Sequence, residues 1–440
     1  MPVAHWHYLY EERRCSAEDA MRSVHSGNRI FLTGNCSVPR TLLAALIERA
    51  PELHDVEISQ VLTIGSLGCV APEMQGHLRV NSMFVSDDVR AAVNSGRADF
   101  TPVFLSEIAR LYRTRLPIDV AFIHVSPPDE HGYCSFGIEV GVTKTAAEVA
   151  RVVIAEVNPK MPRALGDSFI HVNKLTHIVE VDYDLPEIRM GDPSDTQTAI
   201  ARHIAALIED GSTLQTGIGG IPGAVLGFLD DKRNLGVHTE LFSDGIIRLV
   251  EQGIINNEAK TLHPGKIIAG FALGTRQLYD FMHDNPIIEL HPTEYVNDPY
   301  RIAQNDRMVS INSAIEVDLT GQVCADSLGH MFYSGVGGQV DFVRGAARSR
   351  GGKPIIALPA TARDDTLSRI VPELKPGAGV VTTRNDVHYV VTEYGVADLY
   401  GRTIAQRVRA LINIAHPRFR EDLERRAREW NYLPALYSLS

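Results

Sequence analysis

The stretch SGNRIFLTGNCSVPRTLLAAL, residues 26–46, has a counterpart far down the chain in DGSTLQTGIGGIPGAVLGFL, residues 210–229. Each holds Thr-Gly, four residues, a proline, two residues and an aliphatic pair. These are Thr33, Gly34, Pro39, Leu42 and Leu43 in the first, and Thr216, Gly217, Pro222, Val225 and Leu226 in the second. Both read as strand, glycine turn and helix, with the proline near the helix start, where its fixed φ and missing NH are tolerated. Carried on with a small insertion, the match sets EISQVLTIG (57–65) beside VHTELFSDG (237–245), so that Gln60 faces Glu240 in the alignment. Two halves built on one plan are the expectation, with the acid present only in the second.

Outward from these segments the same grammar continues. Apolar runs at 120–126, 150–157, 353–359 and 388–394 suit strands buried on both faces, and 41–50 and 404–415 have helical spacing. A polar stretch carrying Pro, Gly and Asp, YDLPEIRMGDPSD at 183–195, separates the halves. The expected architecture is α/β, with two similar open domains and mainly parallel sheets: residues 1–185, a linker at 186–195, and residues 196–440 carrying the acid. The active site is expected in the cleft between them.

Length and composition agree with this. A chain of 440 residues exceeds the usual single core. Its 44% hydrophobic and 22% charged residues are ordinary for a globular protein. A net charge of −11 argues against a nucleic-acid surface. The cysteines Cys15, Cys36, Cys69, Cys134 and Cys324 form no CxxC pair, which fits a reducing cytoplasm and suggests neither a disulfide framework nor a zinc site. No signal peptide or apolar run of membrane-spanning length is evident, so no membrane association is expected.

The glycine loop QTGIGGIPG (215–223) admits two readings. Gly217 and Gly219, with Glu240 further on, open a dinucleotide fingerprint, as in a dinucleotide-binding oxidoreductase. Pro222 stands where that fingerprint needs its third glycine. The other reading is a loop whose bare backbone lets an anionic ligand approach a helix N-terminus. A second loop, YSGVGGQVDF (333–342), repeats the Gly-x-Gly-Gly pattern at Gly335, Gly337 and Gly338. Asn312 and Ser313 interrupt an alternating strand, and Lys353 begins another. The mixture Asp129, Glu130, His131 and Cys134 reads as a rigid loop, and no metal is expected.

With these residues in place, the chain resembles the acetyl-CoA hydrolase/transferase family of class I coenzyme A transferases. The similarity runs through SPPDEHGYCSFG (126–137), AEVNPKMPRALGDSFIH (155–171), HTELFSDG (238–245), YSGVGGQVDF and VTEYGVADLYGRTIAQRVRALINIAHPRF (391–419). The resemblance implies that Glu240 is the catalytic nucleophile and that Gln215, Thr216, Gly217, Ile218 and Gly219 contact coenzyme A. It implies that Gly335 and Gly337 lie against the thioester and help form the oxyanion site, and that Asn312 and Lys353 fall near coenzyme A contacts. The chain length looks most like that of members moving CoA between 4-hydroxybutyrate or butyrate and acetyl-CoA. An acetyl-CoA hydrolase is the alternative within the family. Acyl-CoA and short-chain carboxylates are then the substrates, no cofactor beyond CoA is required, and a homodimer is expected.

A carboxylate suits this chemistry because it is ionised at neutral pH without a general base, its ordinary pKa being about 4.3. It would attack a thioester, and the cycle would run through a glutamyl-CoA thioester in ping-pong fashion. Water must be excluded, and Leu241 or Phe242 is expected to help.

Overall fold

The computed structural model describes residues 5–65, 67–189, 191–217 and 219–434. Ile218 of the first glycine loop therefore lies outside the described residues. Seven parallel strands make one sheet, in the spatial order His177–Glu180, Val152–Val157, Val120–Val125, Arg29–Leu32, Val56–Gln60, Leu78–Ser82 and Asp99–Phe100. Nine strands make the other, in the order Gly395–Asp398, Tyr389–Thr392, Lys353–Ala357, Met308–Ser313, Thr213–Thr216, Gly236–Phe242, Ile267–Ala272, Ile288–Leu290 and Leu165–Gly166. Only the hairpin Tyr389–Thr392 with Gly395–Asp398 is antiparallel. Without its two edge strands, the second sheet winds as the first does. The first strand is central, the next three step outward on one side, and the last three on the other.

The apolar runs at 120–126, 150–157, 353–359 and 388–394 are the strands Val120–Val125, Val152–Val157, Lys353–Ala357 and Tyr389–Thr392. Val120–Val125 is buried at every residue, so both faces select apolar side chains. The helical spacings at 41–50 and 404–415 become Arg40–Arg49 and Ile404–Ile414. Thr403 and Gln406 close a capping box on the latter, satisfying NH groups that have no partner within the helix. Pro39 stands just before its helix, whereas Pro222 is the third residue of Gly220–Leu226.

Strand register corrects the alignment of Gln60 with Glu240. Leu32 pairs with Gln60 and Leu214 with Val237. Since Thr33 matches Thr216, Leu32 matches Gln215, whose next rung meets His238. Gln60 is therefore the counterpart of His238, and Leu62 that of Glu240. An apolar residue in the acid's place still shows that the shared plan does not require the acid.

The halves share one apolar core, in which Phe31, Ile123 and Val140 pack in the same cluster as Leu214, Phe242 and Phe271. The first half also lends the Leu165–Gly166 strand to the second sheet. Its 138–141 segment zips onto the end of Ile267–Ala272: Ala272 N donates to Ile138 O at 2.8 Å and Gly141 N to Gly270 O at 3.0 Å. In return the second glycine loop is held by the first half, with Val85 N donating to Ser334 O and Leu105 N to Gly337 O. Among the described residues no helix is long and apolar enough to cross a membrane.

Candidate active site

Glu240 sits near the C-terminal end of the Gly236–Phe242 strand. In open parallel sheets, ligands bind outside the carboxyl ends of the strands, because helix N-termini and loops converge there. Asn297 Nδ2 donates a 2.8 Å hydrogen bond to Glu240 Oε2. Behind it, His238 is fully buried, and desolvation pushes its imidazole down to about 3, so the ring is neutral. Its Nε2 lies 2.8 Å from Val296 O, which assigns the ring proton to that nitrogen. The ring thereby fixes the backbone beside Asn297, and the His-Thr-Glu order has a structural sense. The intervening Thr239 Oγ1 donates to Thr216 O at 3.0 Å and accepts from Thr216 N at 3.2 Å, tying the first glycine loop to this strand.

Removal from water raises the Glu240 carboxyl from 4.5 to about 7, while the Asn297 hydrogen bond works the other way. The helix Gln339–Arg348 begins beside it, and a helix N-terminus favours an anion. A Cβ on Gly338, the residue capping that helix, would stand 1.9 Å from Glu240 Oε2 and 2.2 Å from Asn297 Nδ2. Only hydrogen fits there.

Two further acids gather here. Burial raises Glu139 to about 8, against a hydrogen bond from the Asn35 amide and with the Glu240 charge adding to the rise. Burial likewise raises Asp341 to about 7, against hydrogen bonds from Ser106 Oγ and N, with a smaller upward push from Glu240. Like charges in one poorly hydrated place resist joint ionisation.

Between Glu240 and the first half lies a small cavity of about 60 Å³. Phe31, Phe84 and Phe271 supply its aromatic walls, and Gly337 and Leu62 also line it. Leu241 and Phe242, expected to keep the site dry, are buried but do not line this space. Phe31, Phe84 and Phe271 line it instead.

The structure gathers most of the residues singled out from sequence. Gln215 Oε1 accepts from Asn312 Nδ2 and from Ile311 N, each at 3.2 Å, so the loop residues and Asn312 flank the point where the strand order reverses. Gly337 has φ 54, which favours glycine, and Gly335 packs on Phe84. Gly219 opens a wider groove of about 900 Å³ lined also by Phe228, Asp244, Arg189 and Arg276.

Lys353 is the exception. It starts its strand, and its Nζ donates to Leu207 O at 2.7 Å and to Glu209 Oε1 at 2.5 Å. Both partners precede the Thr213–Thr216 strand, so the side chain faces the N-terminal rim of a parallel sheet, away from the ligand-binding rim. Sequence reasoning passed over Asn35, Glu139, Asn297 and Asp341. Asp341 lies within YSGVGGQVDF, a segment already singled out, whereas Asn297 lies outside every such segment. Glu139 directly follows SPPDEHGYCSFGI, but nothing local marks it as a site residue.

A duplicated parallel α/β frame bringing a glutamate, two glycine loops and a largely apolar cavity together is that of a coenzyme A transferase. The chain belongs to the acetyl-CoA hydrolase/transferase family, whose N-terminal domain matches residues 5–186 and C-terminal domain residues 274–427. It is 52% identical to a 4-hydroxybutyrate coenzyme A transferase of Clostridium kluyveri, over 95% of this chain and 98% of that one. It is 46% identical to a succinyl-CoA:cyclohexane-1-carboxylate CoA transferase of Geobacter metallireducens, over 96% of each. Among solved structures it is similar to a 4-hydroxybutyrate CoA-transferase of Porphyromonas gingivalis, with TM-score 0.84, 43% identity, and coverage of 97% of this chain and 100% of that one. The chain is thus an enzyme of the CoA-transferase type, and the oxidoreductase reading of Gly217, Gly219 and Glu240 falls away.

Proposed function

We propose that the enzyme exchanges coenzyme A between short-chain acyl groups, 4-hydroxybutyrate or butyrate with acetyl-CoA, by a ping-pong cycle through Glu240. The observation that carries this reading is the Glu240 carboxyl group, poorly hydrated yet oriented by Asn297, at the wall of a small, largely apolar cavity. Glu240 attacks the acyl-CoA carbonyl, and the C–S bond breaks to give a mixed anhydride and CoA thiolate. The thiolate then attacks the glutamyl carbonyl, forming glutamyl-CoA and releasing the first acid as its carboxylate. A second carboxylate reverses both steps and departs as its CoA ester, leaving Glu240 as it began. No proton is consumed, which is why a nucleophile without a partner base suffices.

Each addition develops an oxyanion, and backbone NH groups of the loop holding Gly335 and Gly337 are the donors in this proposal; one such donor is worth roughly 3 kcal/mol of barrier. Coenzyme A runs along Gln215–Gly219 and Asn312 into the groove that holds Arg189 and Arg276, whose charges suit its phosphates. No cofactor beyond CoA enters the cycle. The apolar lining of the cavity supports transfer over hydrolysis, since water would compete for anhydride and thioester alike. A cytoplasmic homodimer completes the proposal, and sedimentation of the purified enzyme tests its assembly.

Incubation with butyryl-CoA, borohydride reduction and peptide mass spectrometry should give a reduced adduct at Glu240. Full turnover without that adduct would refute the mechanism. Glu240→Ala should abolish transfer. Glu240→Asp should be severely impaired, because the shorter acid withdraws from Asn297. Release of free CoA without an acceptor, at the rate seen with one, would favour the hydrolase.

A further inference from the structure

The cavity beside Glu240 is lined mostly by apolar residues, and beyond Glu240 itself its polar residues are few. Asn35 and Glu139 are among these, with Thr143 and Thr293 also on the lining. All four are at least nine-tenths buried. Asn35 Oδ1, Thr143 Oγ1 and Thr293 Oγ1 have no hydrogen-bond partner within the chain. Buried polar atoms are seldom left so, since each unpartnered group carries a desolvation penalty. Three residues carrying such atoms line one space, which offers candidate partners to a polar group arriving from outside.

The character of that group follows from the lining. Among the described residues that line the cavity none is Lys, Arg or His, so an anionic tail would be buried without a counter-charge. Burial, assisted by the Glu240 charge and opposed by Asn35, pushes the Glu139 carboxyl up to about 8. The shift favours the protonated form of Glu139, which can donate a hydrogen bond. The size is also telling. One water needs about 10–15 Å³ by this measure, and about 60 Å³ takes roughly four to six such groups. A tail of a few carbons ending in a hydroxyl matches the volume and the orphaned atoms; a carboxylate at that end does not.

We propose that Asn35, Glu139, Thr143 and Thr293 form the far end of the acyl pocket and select short acyl groups with a terminal hydroxyl, while rejecting dicarboxylic ones such as succinyl. The assignment rests on Glu240 being the nucleophile. It names residues of the first half as the determinants of specificity, with the second half supplying the reacting carboxylate. The 138–141 segment that carries Glu139 is docked on the strand neighbouring that of Glu240, so the reader and the nucleophile keep a fixed separation.

The test compares kcat/KM for 4-hydroxybutyryl-CoA, butyryl-CoA and succinyl-CoA with acetate as acceptor. The native enzyme should prefer the hydroxylated acyl group over butyryl by about tenfold or more and use succinyl-CoA at least about a hundredfold less well than butyryl-CoA. Glu139→Leu should bring the hydroxyl preference close to unity. Glu139→Gln, a neutral mimic that still donates, should keep it. Thr143→Val, nearly isosteric and so expected to fold, should reduce it several-fold.

A native ratio near one, efficient use of succinyl-CoA, or equal losses on both monocarboxylic substrates in Glu139→Leu and Thr143→Val would overturn the assignment. Glutamine behaving like leucine would overturn it too. Trapping at Glu240 with butyryl-CoA separates the two layers of argument. An adduct with unmoved ratios removes only this inference, whereas no adduct removes the mechanism beneath it.

Discussion

Replacing Glu240 by glutamine should make the protein more stable, by an amount set by pH. The carboxyl ordinarily titrates at 4.5 and in the folded chain at about 7, chiefly through desolvation. Between those values the unfolded chain has released a proton that the folded chain still holds. Raised pH thus favours unfolding across this window, and the loss is complete once the folded group has also ionised. At roughly 1.4 kcal/mol per pH unit, the difference comes to about 3 kcal/mol, and residual solvent contact of the side chain lowers this to about 2 kcal/mol. Glutamine carries no such proton, so its stability lacks this component of pH dependence.

Urea midpoints of native enzyme and Glu240→Gln should lie close together near pH 5 and separate by pH 8, with the variant higher. Relief of the charge on Glu139 acts in the same direction. Midpoints that differ equally at both pH values, or a variant less stable at pH 8, would refute the claim that the nucleophile is held in a dry site at the fold's expense. Such an outcome would also remove the physical reason for calling it reactive, since a well-hydrated carboxylate is a poor nucleophile towards a thioester.

Other expectations concern the neighbours of that carboxylate. Asn297→Leu removes the interaction that lowers the Glu240 pKa, so the acid limb of the kcat/KM profile should move to higher pH; a profile superimposable on the native one would count against it. Gly338→Ala sets a methyl carbon on Glu240 Oε2 and should prevent adduct formation while circular dichroism stays unchanged, and normal turnover would contradict the close approach. Lys353→Met should lose an ion pair whose glutamate is exposed, at a cost of about 1 kcal/mol, and leave the KM for acyl-CoA as it was. A large rise in that KM would return Lys353 to the coenzyme A site.

The parts of this molecule legible in the sequence are those written in local pattern. Buried parallel strands announce themselves as apolar runs, and Gly217 and Gly337 sit in turns whose chemistry is visible in a few residues. The duplicated winding was foreshadowed by Thr33-Gly34 and Thr216-Gly217. The counterpart of Glu240 was misplaced by two residues, because the inserted length between strands cannot be located without their register. Lys353 was misread for a related reason: a lysine at a strand start looks the same whichever rim it faces. Glu139 and Asn35 escaped notice because their significance exists only across the two halves, where 138–141 meets the end of Ile267–Ala272. No local spacing encodes such a meeting.

That junction bears on how the protein is made. The first half leaves the ribosome with its aromatic cavity wall, its Leu165–Gly166 strand and its 138–141 segment all lacking their partners. The nucleophile is synthesised later, and Gly337 finds its bond from Leu105 only when the second half docks. Biogenesis therefore builds the container before the reagent, and a fragment ending at the connecting segment would display sticky edges with no carboxylate to guard. The chain gains its chemistry in the same step that hides these surfaces.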